Sequence, residues 1–259
     1  MATNLLLIHG NGGANARFQL FLEVARKEKP SKLRIHLPLL PGFEGRPFPK
    51  AEDQWAPLLQ ALGEVVQQAP EEKWVLYGHG VGGSMLLEWA KRGWSLPNGH
   101  RFQPHDVIMH SIIGASLQAR WFPKVMALKP VRSLIHQLIP NQQLRPRWEK
   151  KLFLKPSHIP KRIRTQFFED YRQCAAFPIL FDLITPQWYD QVKDELSAQD
   201  YYFLWGGEER VVAAQYLEFW KRDFPKARFE IVPEWDHFPM LETPEAFYHK
   251  IIEILDIHE

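Results

Sequence analysis

Apolar residues alternate along this chain between two patterns. Short runs of consecutive apolar residues are typical of buried strands, whereas apolar residues repeated every three or four positions indicate amphipathic helices. The first pattern predicts strands at Leu5–His9, Leu33–Leu37, Lys73–Tyr77, Val107–Ile113, Tyr201–Trp205 and Arg228–Val232. The second predicts helices at Arg17–Lys29, Gln54–Gln68, Gly83–Arg92, Val212–Arg222 and Pro244–Asp256. Apolar strands separated by helices favour an α/β fold, with a mostly parallel sheet and helices on both faces.

The alternation stops between Ala115 and Thr185. This stretch contains seven prolines and scattered apolar residues, and it shows no clear strand. It predicts several short helices, inserted between the fourth and fifth strands and lying over one end of the sheet. We therefore divide the chain into a core domain, residues 1–114 and 186–259, and a helical insertion, residues 115–185.

Composition narrows the class of protein. The chain has 259 residues, of which 45% are hydrophobic and 24% charged, which excludes a disordered, collagenous or coiled-coil protein. Its one cysteine, Cys174, excludes an internal disulfide, and no clustered ligand pattern indicates a metal or another cofactor. The apolar run Leu5–Ile8 is too short for a signal peptide, and no stretch is long enough to span a membrane. We expect a cytoplasmic protein.

A glycine-rich segment, Gly78–Gly83, joins the third predicted strand to the helix that follows. Small residues permit a sharp strand–helix turn, and a side chain at the middle position would project above the sheet at a helix N-terminus. The same glycines also fit the G-x-G-x-x-G pattern of a loop that binds phosphate through its backbone N–H groups. This motif alone leaves both interpretations open.

Four other segments carry recognisable motifs, and each lies next to a predicted strand or helix. They are His-Gly-Asn-Gly-Gly at 9–13, Pro-Gly-Phe-Glu-Gly-Arg-Pro at 41–47, Trp-Gly-Gly-Glu-Glu-Arg-Val-Val at 205–212 and Trp-Asp-His-Phe-Pro-Met-Leu-Glu-Thr-Pro-Glu at 235–245. Together with the glycine-rich turn they resemble the α/β-hydrolase family, in both motif and chain order. The resemblance covers about residues 4–114 and 200–259, and it implies a serine esterase or lipase type of chemistry.

The resemblance implies a role for each motif. Gly80 stands at the nucleophile position, where the family has serine, and His237 stands at the position of the general base. The family has its acid in the motif at 205–212, three positions after a glycine. Counting from Gly206 makes Glu209 the acid, with the neighbouring Glu208 as the alternative. Asp236 departs from the family pattern, which has glycine before the histidine.

The family also implies where a substrate would lie. The backbone N–H groups of Asn11 and Val81 would form the oxyanion hole. Insertions at this point of the fold commonly form a cap, so Trp121 and Phe122 are candidate substrate contacts. His79 of the glycine-rich turn and Phe238 of the 235–245 motif are further candidates. Aromatic walls favour an apolar acyl or aryl ester substrate.

Three interpretations of Gly80 remain open. The parent protein is a serine hydrolase whose serine was replaced, or the chain is a natural pseudoenzyme that uses its pocket for binding. In the third interpretation, His237 activates a water molecule or removes a proton from substrate without a covalent intermediate. Loss of a triad nucleophile costs about 10⁶-fold in kcat in a serine protease. Ser84, Ser111 and Ser116 do not lie on the turn, and we do not expect any of them to replace the serine.

Charge is distributed unevenly along the chain. The net charge is +2, yet residues 115–178 contain thirteen Lys and Arg and only three acidic residues. A basic cap thus accompanies an acidic body, because the cap carries +10 and the rest −8. This charge belongs either to a solvated helical face or to a surface for an acidic partner: an acyl carrier protein, a CoA ester or an anionic membrane. No nucleic-acid-binding motif accompanies the charge, so we expect no nucleic acid partner.

Overall fold

The core of the protein is a six-stranded sheet. A computed structural model describes residues 2–30 and 32–255. All strand pairs are parallel, in the order β2-β1-β3-β4-β5-β6. The predicted α/β fold with a parallel sheet is thereby confirmed. The strands are β1 (Thr3–Ile8), β2 (Leu33–His36), β3 (Lys73–His79), β4 (Asp106–His110), β5 (Tyr202–Gly206) and β6 (Arg228–Val232).

Twelve α-helices surround the sheet in the described part of the chain. None of them is long and apolar enough to cross a membrane. The helix predicted to end at Asp256 is observed to Ile254, and Asp256 lies outside the described residues. The helices are α1 (Gln19–Glu28), α2 (Ala56–Val66), α3 (Val81–Lys91), α4 (Trp121–Met126), α5 (Lys129–Leu138), α6 (Arg145–Leu152), α7 (Lys161–Arg172), α8 (Phe177–Leu183), α9 (Pro186–Leu196), α10 (Leu217–Asp223), α11 (Pro239–Glu242) and α12 (Pro244–Ile254).

Helices cover both faces of the sheet, as two adjacent residues of β3 show. The ring of Tyr77 packs edge-on against Phe247 of α12, with ring centroids 5.7 Å apart. A Cβ atom on the next residue, Gly78, would lie 2.6 Å from the backbone of Gly82 in α3. Because successive strand residues point to opposite faces, α12 and α3 lie on opposite sides of the sheet. Helix α1 packs against α12, and α9 packs against α3.

The observed boundaries differ from the predicted ones near the ends of two strands. Helix α3 begins at Val81, directly after the turn, rather than at Gly83. Strand β4 ends at His110 rather than Ile113, because Ser111 adopts a left-handed backbone conformation, with φ of +46°, that a strand cannot continue through. Both differences lie at the carboxyl edge of the sheet, where the chain turns sharply.

The segment between β4 and β5 is helical, with no strand among its residues, all of which are described. Helices α4 to α8 fall within residues 115–185, whereas α9 follows them and packs against the core helix α3. Tyr171 of α7 lies over the loop that follows β1, since a Cβ atom on Gly12 would lie 2.1 Å from its ring. The 115–185 segment therefore rests on the carboxyl end of β1.

Backbone contact between α3 and β1 gives the first testable prediction. A Cβ atom on Gly82 would lie 2.5 Å from the carbonyl oxygen of Ile8, so Gly82→Ala should destabilise the protein by about 3 kcal/mol. Gly99 has φ of +81° and open space around it, so Gly99→Ala should cost only about 1 kcal/mol. Urea unfolding of both variants measures the difference. Equal decreases in unfolding free energy would contradict the close approach of α3 to β1.

Candidate active site

The turn between β3 and α3 leaves its middle position open. Gly80 has φ of +54° and ψ of −116°, and its N–H donates to the carbonyl of His110 at 2.8 Å. A Cβ atom on Gly80 would have one neighbour, the Cα of Gly10 at 3.8 Å. Gly78 and Gly82, by contrast, lie against backbone atoms closer than any Cβ could approach. The turn thus has room for a side chain at Gly80 but not at Gly78 or Gly82.

A buried acid–histidine pair lies on the loops that follow β5 and β6. Glu209 Oε2 accepts a hydrogen bond from Nδ1 of His237 at 2.8 Å and another from the hydroxyl of Ser111 at 2.6 Å. Its other oxygen accepts the N–H groups of Val211 and Val212, at 2.8 and 2.9 Å. A carboxylate at Nδ1 fixes the tautomer, so that Nε2 of the neutral ring is the nitrogen able to accept a proton.

The electrostatic balance at Glu209 favours the ionised form. Burial by itself raises the pKa of this carboxyl, but the charge on His237 opposes it. The hydrogen bonds from His237, Ser111 and the backbone act in the same direction as that charge, and the pKa is lowered below its ordinary value. Glu209 is therefore an anion near neutral pH, and it can stabilise a positive charge on the imidazole of His237.

The alternative acid lies apart from the histidine. Glu208 is exposed, and its backbone N–H donates to the carbonyl of Trp235 at 2.9 Å. Of the two adjacent glutamates, the structure brings Glu209 to His237 and leaves Glu208 in solvent.

Asp236 links the loop that contains His237, here called the histidine loop, to the loop that contains Glu209, here called the acid loop. Sequence reasoning did not assign this function to it. Its Oδ1 accepts the N–H of His237 at 2.7 Å and the N–H of Arg210 at 3.0 Å. Its Oδ2 lies 3.3 Å from Nε of Arg210. The sequence signal was its departure from glycine at this position, which indicated a difference without indicating its purpose.

His79 differs from its prediction as a substrate contact. Its side chain is 3% exposed, and Nε2 donates to the carbonyl oxygen of His237 at 2.9 Å. Burial above all, with the charges of His237 and His110, lowers its pKa well below the ordinary value, so the ring is neutral. His79 therefore supports the histidine loop from beneath, and its hydrogen bond leaves that nitrogen unavailable to a ligand.

The loop after β1 lies beside the turn at Gly80. The side-chain oxygen of Asn11 accepts the N–H of Gly12 at 2.9 Å, and its amide nitrogen donates to the carbonyl of Phe177 at 3.4 Å. Within the described residues, no protein acceptor is bonded to the backbone N–H of Asn11 or of Val81. Two backbone donors on adjacent segments thus have no protein acceptor in the part of the chain that the structure describes.

The three aromatic residues predicted to line a pocket separate in the structure. Phe238 is buried, and its ring centroid lies 4.6 Å from that of His237 and 5.0 Å from that of Phe167 in α7. Trp121 is 69% exposed and packs edge-on against the half-buried Phe122 at 5.8 Å. Phe238 therefore packs against His237, whereas Trp121 and Phe122 form a pair on α4.

Arg17 is a second residue that sequence reasoning missed. It is buried, with its guanidinium 3.6 Å from the ring centroid of Phe167 and 5.3 Å from that of Phe238. Its Nη2 donates to the carbonyl of Gly12 at 2.9 Å. Arg17 thereby links the loop after β1 with α7 and the histidine loop. Arg17 is the first residue of the predicted helix, and no local pattern indicates this role.

Cys174 and Ser84 do not supply a nucleophile, and no group of metal ligands is present in the described residues. Burial raises the pKa of the Cys174 thiol to about 12, which keeps it protonated. The hydroxyl of Ser84 donates to the carbonyl of Ile113 at 2.8 Å. Among residues 2–30 and 32–255, no three His, Cys, Asp or Glu side chains are grouped so that they could hold a metal ion.

Comparison with known proteins decides the family. The model of the alpha/beta hydrolase family matches residues 5–250. This chain belongs to the α/β hydrolase family. None of the curated protein sequences matches this α/β hydrolase.

Solved structures share the fold of this α/β hydrolase. An esterase from Exiguobacterium antarcticum is 16% identical with a TM-score of 0.71, over 98% of this chain and 92% of that one. A bromoperoxidase from Bacillus anthracis is 12% identical with a TM-score of 0.73, over 99% and 92%. A carboxylesterase from Nitrososphaera gargenis is 18% identical with a TM-score of 0.68, over 99% and 90%. At these identities the likeness shows the fold alone.

Glu242 joins the 115–185 segment to the histidine loop of this α/β hydrolase. Its carboxylate accepts the backbone N–H of Lys155, and it is buried near Asp236 and Arg210. Arg210 binds the same segment by donating to the carbonyl of Phe153 at 3.2 Å. Burial, with a contribution from the charge of Asp236, raises the pKa of Glu242 to about 7.

This shifted pKa predicts a pH dependence of stability. The folded protein keeps a proton on Glu242 that the unfolded chain releases above about pH 4.5, so its contribution is present below that pH and is lost as pH rises to about 7. This loss should lower the unfolding free energy of the native protein by about 2 kcal/mol between pH 5 and 8. Glu242→Gln should abolish that decrease. Urea unfolding at both pH values tests this, with the exposed Glu245→Gln as control. Parallel profiles for the native and Glu242→Gln proteins would contradict it.

Proposed function

We propose that this α/β hydrolase has the active site of a carboxylic-ester hydrolase, in which Gly80 stands at the nucleophile position. The observation that carries the proposal is the buried hydrogen bond between Glu209 and Nδ1 of His237, on loops at the same sheet edge as the open turn at Gly80. Fold neighbours described as an esterase and a carboxylesterase support the same reaction class.

A serine at the turn would complete an acyl-transfer mechanism. Its hydroxyl oxygen attacks the ester carbonyl carbon while its proton passes to Nε2 of His237, and Glu209 stabilises the resulting imidazolium. The N–H groups of Asn11 and Val81 donate to the oxyanion, and the protonated histidine then returns the proton to the leaving alcohol. Water hydrolyses the acyl-enzyme by the same steps. Gly80 has no oxygen, so this chain binds the ester without forming the acyl-enzyme.

The walls of the site favour a ligand with an apolar acyl or aryl group, as an ester or thioester. Phe238 lies against the ring of His237, and Phe153 and Phe167 lie against Phe238 at 5.6 and 5.0 Å. Phe153 and Phe167 belong to the 115–185 segment, and Tyr171 of that segment covers Gly12. These contacts support a cap formed by residues 115–185 over the site.

A second candidate function is hydrolysis without a covalent intermediate. The open space at Gly80 accommodates a water molecule where a serine oxygen would lie. Nε2 of His237 would take a proton from that water as it attacks the ester carbonyl. This function requires His237 but no side chain at Gly80.

Restoring the nucleophile tests the first function. Gly80→Ser should raise the hydrolysis rate of short p-nitrophenyl esters at least about 10³-fold above that of the native chain. The gain should disappear in Gly80→Ser/His237→Ala and decrease in Gly80→Ser/Glu209→Gln. Because φ is +54° at this position, the serine should cost about 1–2 kcal/mol of unfolding free energy. Unfolding curves show whether each variant is folded.

The outcomes separate the proposals. A folded Gly80→Ser protein without esterase activity on acyl and aryl esters contradicts the ester-hydrolase site. Esterase activity of the native chain that His237→Ala abolishes supports the second function instead. Heat stabilisation of the native chain by an ester that is not turned over supports a binding module with the same pocket.

A further inference from the structure

Exposed apolar side chains concentrate on two adjacent helices of the 115–185 segment. Five large apolar side chains are exposed in the described part of the chain, and three of them lie on or between α4 and α5. They are Trp121, Leu128 and Leu134, with exposed fractions of 69%, 58% and 55%. Trp121 is the first residue of α4, Leu128 lies in the two-residue connection between α4 and α5, and Leu134 lies within α5.

The charge around these side chains has a single sign. No acidic residue occurs between Val107 and Trp148, a stretch that contains α4 and α5. Lys124 and Lys129 are exposed next to the apolar residues, and neither forms an ion pair with a carboxylate of the described chain. We call Trp121, Lys124, Leu128, Lys129 and Leu134 the α4–α5 surface.

Other cations of the segment are used differently. Arg132 is buried and pairs with Asp182 at 2.6 Å, and Arg164 pairs with Glu149 at 2.8 Å. These two guanidinium groups hold helices together. The two lysines of the α4–α5 surface form no ion pair within the described chain, so their charge is available to solvent or to a partner.

Helix α5 covers only part of its apolar surface. Ile135 packs against the core, whereas Leu134 is 55% exposed. Val131, Leu134 and Leu138 follow helical spacing, and none of the three is buried. The buried residue of this helix is the paired Arg132. Exposed apolar side chains next to unpaired lysines are the pattern of a segment that lies in a membrane interface.

We infer that the α4–α5 surface docks this protein on an anionic lipid bilayer. An exposed indole and two leucines would enter the headgroup region, while the lysines would bind anionic headgroups. An acidic protein partner would satisfy the lysines, but it would not require a tryptophan and leucines presented among them. This inference concerns a surface outside the proposed site, so it stands or fails independently of the ester-hydrolase proposal.

Vesicle co-sedimentation of the full chain tests the inference. The protein should bind vesicles that contain phosphatidylglycerol, should bind phosphatidylcholine vesicles weakly, and should release from the former as salt concentration rises. Lys124→Glu/Lys129→Glu should weaken binding at least about 20-fold, since each surface cation contributes roughly five-fold. Trp121→Ala/Leu128→Ala should weaken it about tenfold or more.

Matched controls separate this surface from overall charge and hydrophobicity. Lys27→Glu/Lys226→Glu changes the net charge equally on the acidic body, and Leu39→Ala/Ile231→Ala removes the two other exposed apolar side chains. Both controls should bind phosphatidylglycerol vesicles as the native chain does.

Three results would overturn the inference. They are absence of binding to phosphatidylglycerol vesicles, equal binding to both lipids, and equal losses in test and control variants. Self-association of the native chain that Trp121→Ala/Leu128→Ala abolishes, without vesicle binding, would assign the surface to a second copy instead. Thermal unfolding shows that each variant remains folded, and exposed positions make this the expected result.

Discussion

The carboxylate of Glu209 is the point at which three segments of the sheet edge meet. It accepts hydrogen bonds from Ser111 at the end of β4, from two N–H groups of its own loop, and from the ring of His237. A carboxylate without such partners is too costly to bury, because it loses its hydration. The four hydrogen bonds are therefore a condition for the fold at this edge, and they also fix the orientation of the imidazole.

The same edge depends on backbone contacts that only glycine permits. Gly78 and Gly82 bring β3, α3 and β1 together, and Gly80 then turns away from them into open space. Close packing beneath the turn and free space above it are two parts of one arrangement. A larger residue at Gly78 or Gly82 would push α3 outward, and with it the first residue of that helix, Val81.

The sequence predicted the framework better than it predicted the details of the site. Apolar runs located every strand, and family motifs located Glu209 and His237, because both depend on local pattern. Ser111, Asp236 and Arg17 were missed because each also contacts a separate segment of the chain, and no local pattern records such a contact. Ser111 contacts Glu209, Asp236 contacts Arg210, and Arg17 contacts Phe167. The histidine at position 79 was assigned to the substrate because proximity in sequence does not show that its ring lies beneath the loop. Trp121 was assigned to a pocket because composition does not distinguish an exposed aromatic residue from a lining one.

The backbone at Gly80 has a consequence for how such a site changes over evolutionary time. Its φ of +54° is unstrained for glycine and strained for serine. Replacing a serine by glycine at this position relieves that strain, so a lineage that loses the hydroxyl gains stability in the same step. Regaining the hydroxyl requires the opposite step, against stability. Conformational strain thus makes the loss of a nucleophile at this position easier in evolution than its return, whatever ligand the pocket then binds.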